Sequence, residues 1–285
     1  MNPVFRNLLL LVVVCFSCKP ALHTTISSAP KPFPDPNGTK LYRILVLNKE
    51  QPGKDIDIYE YHYDCFNRIT DIGEYRGDSV NGQLQQQYST GQKFYYNAGD
   101  LLPYKSVGSS PFDSAAVSYY LFDNYGRLIV DSISFSKDKN YTLYTYNWQI
   151  DYVIKSSKTP YGKQGYIFSN DSFLLNNQNI AGRVKLEPMM TDLRITAGKY
   201  AYDDKVNPVN SLNISPIIAL SRPDAQLTYG YNKNNMIWIG GGFYNYNHTF
   251  IQREATHYIY KYNSAGLPVE CEISGSKYKW LLQYY

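Results

Sequence analysis

From Leu41 onward, apolar and polar residues alternate singly instead of recurring every three or four positions. LYRILVLN (Leu41 to Asn48) and DIDIYEYHYD (Asp55 to Asp64) each line one face of an extended strand with aliphatic or aromatic side chains, and KEQPGKD is the turn between them. The same period resumes at QLTYGYN from Gln226, continues through MIWIGGGFYNYN, THYIYKYN and PVECEIS, and ends with YKWLLQYY. Nowhere in this region do apolar positions fall at i, i+3, i+4 and i+7 over a dozen residues free of turn signals, so helix is a minor component. A last strand as aromatic as YKWLLQYY requires a pairing neighbour, because an unpaired aromatic edge invites aggregation.

The strands are joined by a recurring cassette. Its clearest copy is YLFDNYGRL, Tyr120 to Leu128, in which Asp123 and Gly126 are spaced as the first and last residues of a type I turn and Leu128 restarts a strand. Further copies are YHYDCFNRI from Tyr61, FYYNAGDLL from Phe94, YAYDDKVNP from Tyr200, YGYNKNNMI from Tyr229 and YKYNSAGLP from Tyr260. Their turn residues, Asp64, Asn97, Asp123, Asp203, Asn232 and Asn263, recur at roughly 25 to 35 residues except after Asp123. Two degenerate copies fill that gap: YTYNWQIDYVI, with Asn147 in the turn position, and YIFSND from Tyr166. Asp or Asn starts the turn by accepting backbone N–H bonds, and Gly or Asn three positions later tolerates positive φ. Two stretches break the rhythm, Asn176 to Asp192 and Asn207 to Pro223. The second carries Ile214, Ile217, Ile218 and Leu220 between prolines and is expected to cover an apolar face of the sheet as a plug or lid.

Composition sharpens this picture at one point. The 285 residues include 30 Tyr, and the chain is 16% aromatic against 18% charged, too aromatic for a disordered protein. Tyrosine suits a sheet with one wet face, since the ring supplies apolar area while the hydroxyl stays hydrated.

The first residues read as a targeting segment. Arg6 precedes the apolar run Leu8 to Val14, and Ser17 places a small residue before Cys18, the pattern of a bacterial lipoprotein signal peptide over residues 1–17 with Cys18 as the acylated residue. The apolar run is too short to span a bilayer comfortably. Residues 18–39 are rich in Pro, Ser and Thr and form a lipidated tether; residues 40–285 form a single all-β domain. Loss of Arg6 leaves 27 of the 28 Lys and Arg against 24 acids, so the mature domain is nearly neutral and nucleic acid is not an expected partner. Related lipoproteins carry an acidic run just after the acylated cysteine that resembles a surface-export signal; here no acid appears after Cys18 until Asp35, and that comparison implies the periplasmic face of an outer-membrane anchor slightly ahead of the cell surface.

The candidate chemistry is sparse. His23, His62, His248 and His257 have no metal-site spacing, and neither a metal nor a cofactor is expected. Asp55 with Asp57 and Asp203 with Asp204 could serve as acid and base in glycoside hydrolysis, but each pair sits in or beside a turn that calls for Asp on backbone grounds. No Gly-x-Ser-x-Gly elbow is present, and no catalytic residue is assigned. The run Gly240-Gly241-Gly242 lacks the helix and Lys-Ser/Thr of a phosphate loop and reads as a bulge or tight bend. Around it, Trp238, Tyr244 and Tyr246 are the candidate ligand-binding surface, weighed against ordinary cross-strand aromatic packing. Cys65 and Cys271 are the remaining thiols once Cys18 is acylated. A disulfide between them would join the two ends of the sheet; isolated buried cysteines are the alternative.

The cassettes resemble the Tyr-Asp repeats of Rhs-type and teneurin-like shells. Together with YDDKVNPVNSL, Tyr202 to Leu212, they are more similar still to uncharacterised lipoproteins of the Bacteroidetes phylum, which carry such hairpins in a curved, porin-like antiparallel sheet. The likeness covers Leu41 to Tyr285 and implies an envelope protein. Asp78-Ser79-Val80, Asp113-Ser114-Ala115 and Asp131-Ser132-Ile133 also look like the O-glycan acceptor tripeptide of that phylum.

The expected fold is thus all-β: antiparallel hairpin repeats forming a curved sheet or open barrel, with a β-propeller as the alternative and an integral outer-membrane barrel ranked third. The expected function is non-catalytic binding of a glycan or an envelope protein. A structural shell or plug without small ligand is the first alternative, and a polysaccharide-acting enzyme the second.

Overall fold

A computed structural model describes residues 40–109, 116–135, 141–160, 165–188, 193–210, 212, 232–244 and 249–285. The signal segment 1–17, Cys18, the rest of the tether, His23, His248, Asp113-Ser114-Ala115, the Ile214 to Leu220 run and Tyr246 lie outside the described residues. Sixteen strands follow one another: β1 (Leu41–Asn48), β2 (Ile56–Tyr63), β3 (Ile69–Val80), β4 (Gln83–Tyr95), β5 (Lys105–Ser109), β6 (Ala116–Phe122), β7 (Leu128–Phe135) and β8 (Tyr141–Trp148). The second half comprises β9 (Tyr152–Pro160), β10 (Tyr166–Asn176), β11 (Asn179–Pro188), β12 (Leu193–Val206), β13 (Asn234–Tyr244), β14 (Phe250–Tyr262), β15 (Pro268–Ile273) and β16 (Tyr278–Tyr284). Every strand pairs antiparallel with its sequence neighbours, and β1 pairs with β16 to close the barrel. The expected all-β antiparallel fold is therefore what forms, and closure gives YKWLLQYY its partner: Ile44 opposes Leu282 and Val46 opposes Trp280. A single continuous sheet excludes the propeller.

Register and burial identify the inside. One buried cluster draws Ile44, Tyr61, Phe94, Tyr120, Tyr146, Phe173, Tyr258 and Trp280 from strands all around the barrel, and these residues share a strand face throughout. The alternate face carries Tyr119 at 50% exposure, Leu121 at 55% and Phe168 at 63%, so it faces outward. Val209 and Leu212, from the start of the insert after β12, are buried with the interior cluster. That much of the insert goes inside.

The cassette works as its spacing implies. Asp64, Asp123 and Asn263 each use one side-chain oxygen to accept the N–H groups two and four residues on, at 2.9 to 3.0 Å. Asn67, Gly126 and Gly266 close the turn with φ of 64°, 74° and 76°, the left-handed region that Gly and Asn enter most easily. The register slips by one residue beside each turn, so that Tyr63, Phe122 and Tyr262 oppose Ile69, Leu128 and Pro268. Arg68 and Arg127 fold back onto Asp64 and Asp123 at 2.8 and 2.7 Å. Burial acts to raise these two carboxyls, but the backbone and guanidinium bonds outweigh it and hold both below the usual carboxylate range.

A second device explains the tyrosine content. At or near the end of β2, β4, β8, β12 and β16 an aromatic side chain donates to the backbone carbonyl of the first or second residue of the preceding strand. The pairs are Tyr63 to Leu41, Tyr96 to Ile69, Trp148 to Leu128, Tyr202 to Ile180 and Tyr284 to Pro268, all at 2.6 to 2.8 Å. Each ring fills the interior while its polar tip satisfies a carbonyl that the turn leaves unpaired.

Three expectations need correction. Ser169 and Asn170 of YIFSND lie within the unbroken strand β10, and Asp203 lies within β12 instead of starting a turn. The described part of Asn176 to Asp192, up to Pro188, is not irregular: Asn177 and Gln178 both have positive φ, a two-residue hairpin turn leading straight into β11. Cys65 and Cys271 do not pair, because Cys271 is a free thiol buried in the interior while Cys65 sits on the exposed turn between β2 and β3. Burial pushes the Cys271 thiol up to about 12. It is therefore expected to resist iodoacetamide in the folded protein at pH 8 and to react within minutes in denaturant, as peptide mass mapping would show; labelling in the native state would mean that this part of the interior opens readily.

Candidate functional site

The outward face of β12–β14 carries the feature that stands out from ordinary sheet packing. Trp238, Gly240, Gly242 and Tyr244 share that face, because the alternate residue Ile239 opposes Tyr200 in the interior. The benzo ring of Trp238 lies over Gly240, occupying the space a Cβ would need; at Gly242 the Ile251 backbone carbonyl fills that space first, and the tip of the Phe250 ring reaches it at 2.7 Å. Tyr244 stands directly across from Phe250 with ring centroids 5.1 Å apart. Tyr244 and Phe250 are 40% and 43% exposed, and Trp238 is half-buried, opposite the exposed His257. Gly240 is thus required by the Trp238 ring, Gly241 and Gly242 by the close carbonyls of Ala197 and Ile251 on the flanking strands, and the register shift between Ile239 and Gly241 is the bulge that the glycine run implies. Trp238 and Tyr244 lie on this same outward face, six residues apart along β13. Phe250, the third ring, was missed because its relation to Gly242 depends on cross-strand register.

Other candidate residues do not converge. Asp55 has the left-handed backbone of a turn residue, and Asp57 pairs with Arg76 at 3.4 Å. Asp203 accepts bonds from the Asn235 backbone and side chain at 3.1 and 3.3 Å and from the Tyr262 hydroxyl, a network that ties β12 to β13 and β14. That bond and burial raise the Tyr262 hydroxyl far above its usual range, burial being the larger cause. His62 lies between Glu60 at 3.7 Å and Asp71 at 3.9 Å on the outer face.

Sequence reasoning also missed a charged layer inside the barrel. Asp131, Lys155 and Asp171 are 0%, 6% and 7% exposed, and the Lys155 ammonium sits 4.3 Å above the Tyr144 ring. Arg183 forks onto Asp171 at 3.2 and 3.1 Å. Tyr144 and Tyr146 are pushed above the usual phenol range by burial first and then by Asp131. A signal was present: Lys155 is two residues from Val153 and Asp171 two from Phe173, so each shares a face with a core residue. Below this layer, Ile44, Val209, Met236, Tyr258 and Trp280 line a small apolar cavity of about 50 Å³, room for a water or two but not for a sugar.

This architecture, a closed sixteen-stranded antiparallel barrel with a buried layer of side chains at the cassette end of its interior, defines the class of protein. Among solved structures it is similar to a porin-like protein from Bacteroides uniformis, with a TM-score of 0.52 and 13% identity over 87% of this chain and 98% of that one. It is also similar to a porin-like protein from Bacteroides vulgatus, with a TM-score of 0.54 and 10% identity over 86% and 98%. At these identities the likeness is one of fold. Neither a protein-family model nor a curated protein matches the sequence.

Proposed function

We propose that the protein is a non-catalytic binding module of the bacterial envelope that takes a glycan on the aromatic shelf of Trp238, Tyr244 and Phe250. The observation that carries this reading is the seating of the Trp238 ring on Gly240, on the outward face that also exposes the Tyr244–Phe250 pair. An exposed ring resting on a backbone with no intervening side chain offers a platform on which the apolar face of a sugar ring can stack. An envelope location is supported by the lipoprotein-like first residues, with Cys18 as the lipid attachment, and by the porin-like fold of the two similar structures.

A shell or plug role is the second reading, and a specific observation favours it too. Barrels of this strand number leave an aqueous channel in porins. Here the layer containing Tyr61, Tyr146, Phe173 and Trp280 is buried and fills the lumen at the cassette end. Spanning a bilayer is disfavoured for a different reason. On the outer face of β14 to β16 Glu270 pairs with Lys261 and Lys279, and Glu272 with Lys49, so ionised groups interrupt an apolar band on that side of the barrel.

The test is a glycan-array and polysaccharide pull-down screen of the full chain, repeated with Trp238→Ala and, as a control, with Tyr125→Ala, an 84%-exposed turn aromatic. Removing a central stacking ring is expected to weaken binding by roughly thirtyfold, the size of a hot-spot truncation, while the control leaves it unchanged. Absence of binding to any glycan would sink the carbohydrate reading and favour a protein partner or a shell.

A further inference from the structure

The outside of the barrel has two unlike flanks. From β14 through β16 to β2 it is laced with ion pairs of both signs. From β5 to β10 the outward positions among the described strand residues contain no Asp or Glu, and their only charges are Lys105 and Lys158. The two acids of these strands that are most deeply buried, Asp131 and Asp171, point inward.

On this acid-free flank large apolar and aromatic side chains stand open to solvent: Tyr119 at 50%, Leu121 at 55%, Tyr166 at 53%, Phe168 at 63% and Leu174 at 51%. The two lysines rest on aromatic faces. The Lys105 ammonium lies 5.4 Å from the Tyr95 ring centre and 5.6 Å from that of Tyr119, and Lys158 lies 4.1 Å from that of Tyr166. Six strands at the usual spacing make this flank roughly 25 Å wide, and soluble monomers rarely expose a continuous apolar patch of that extent.

We propose that the β5–β10 flank lies against an anionic lipid surface. Charge and chemistry both select this occupant. Cations without acids nearby are drawn to negative headgroups, their stems lie along apolar surface, and tyrosine is at home at the boundary between headgroup and hydrocarbon. The described outward strand positions of this flank present no carboxylate to repel phosphate, whereas the opposite flank presents Glu270 and Glu272. The contact is peripheral: the barrel rests on the bilayer along one side and leaves the aromatic shelf of β12–β14 beyond its edge. It does not depend on the glycan reading.

The experiment uses the full chain with vesicles of phosphatidylcholine alone, or of equal parts phosphatidylcholine and phosphatidylglycerol. Flotation measures binding, and brominated acyl chains quench tryptophans that reach the membrane. Phe168→Trp is expected to add emission that brominated anionic vesicles quench, while Glu272→Trp on the other flank adds emission that they do not. Lys105→Gln with Lys158→Gln is expected to weaken partition onto anionic vesicles by roughly tenfold to thirtyfold and to leave phosphatidylcholine binding unchanged. Residues before Lys40 contribute equally to every variant. Equal quenching on both flanks, or none at position 168, would overturn the proposal. Lysine-dependent retention on dextran sulfate without quenching at position 168 would also overturn it and assign the flank to an acidic polysaccharide.

Discussion

Asp171→Ala is expected to lower the unfolding free energy by about 3–5 kcal/mol, read from urea titration of the full chain at neutral pH. The reason is local. Asp171 and Arg183 have side-chain exposures of 9% and 13% and share a two-bond fork, and Lys155 is the direct cross-strand neighbour of Asp171. Removing the carboxylate keeps the guanidinium in a site where water does not replace the lost partner. Breaking such a pair costs much more than the pair itself contributes, because the orphaned charge retains its full desolvation penalty. The double variant Asp171→Leu with Arg183→Leu separates these two quantities. It is expected to recover most of the loss, though not all, since Lys155 stays buried beside the site. A cost below about 1 kcal/mol for Asp171→Ala is the range of a solvent-exposed pair, and would show that water reaches this layer freely.

That layer also marks where sequence reading stopped. The strands themselves were legible: LYRILVLN is β1 residue for residue, and PVECEI and YKWLLQY are β15 and β16. Alternation is a local property, and so is the Asp-to-Gly spacing of the cassette, whose three best copies adopt one geometry. Closure was only partly legible, because the partner of the last strand is fixed by twist and strand number over the whole chain. Turns without the Tyr-Asp signature were lost. Asn177-Gln178 reverses the chain through two positive φ values with no glycine, and Asp203 mimics a turn residue while serving as the hub of a cross-strand network.

The candidate site followed the same division. Trp238 and Tyr244 are recognisable beside the glycines because a ring needs a bare backbone to lie on. Phe250 was hidden, since its place over Gly242 follows from pairing with Tyr244 across the next turn. Asp131, Lys155 and Asp171 looked like unrelated strand charges until register brought them onto one inward row. Pairing, more than composition, separates the salt-bridged flank from the acid-free one.

Gly241→Ala is the second large effect expected, a loss of about 3 kcal/mol in the same titration, at the upper end for forcing a methyl group into a closed site. A Cβ on Gly241 would fall inside the contact surface of the Ala197 carbonyl oxygen and 2.9 Å from the Gly198 Cα. Both are backbone atoms of the paired strand, so no side-chain rotation relieves the overlap and β12 must part from β13. The control is Gly108→Ala, whose nearest neighbour would be the Ala116 oxygen at 3.5 Å, ordinary contact; there the change should be neutral or slightly stabilising, since alanine orders the chain at lower entropic cost. Gly240→Ala divides structure from function. Its methyl group would meet only the Trp238 ring at close range, a side chain able to swing away, so its stability cost is expected to fall well below that of Gly241→Ala. The displaced indole would no longer lie flat, and glycan binding should fall about as far as in Trp238→Ala. If Gly240→Ala binds glycan as the wild type does, the flat seat of Trp238 is packing alone, and the shelf loses the geometric feature that singles it out.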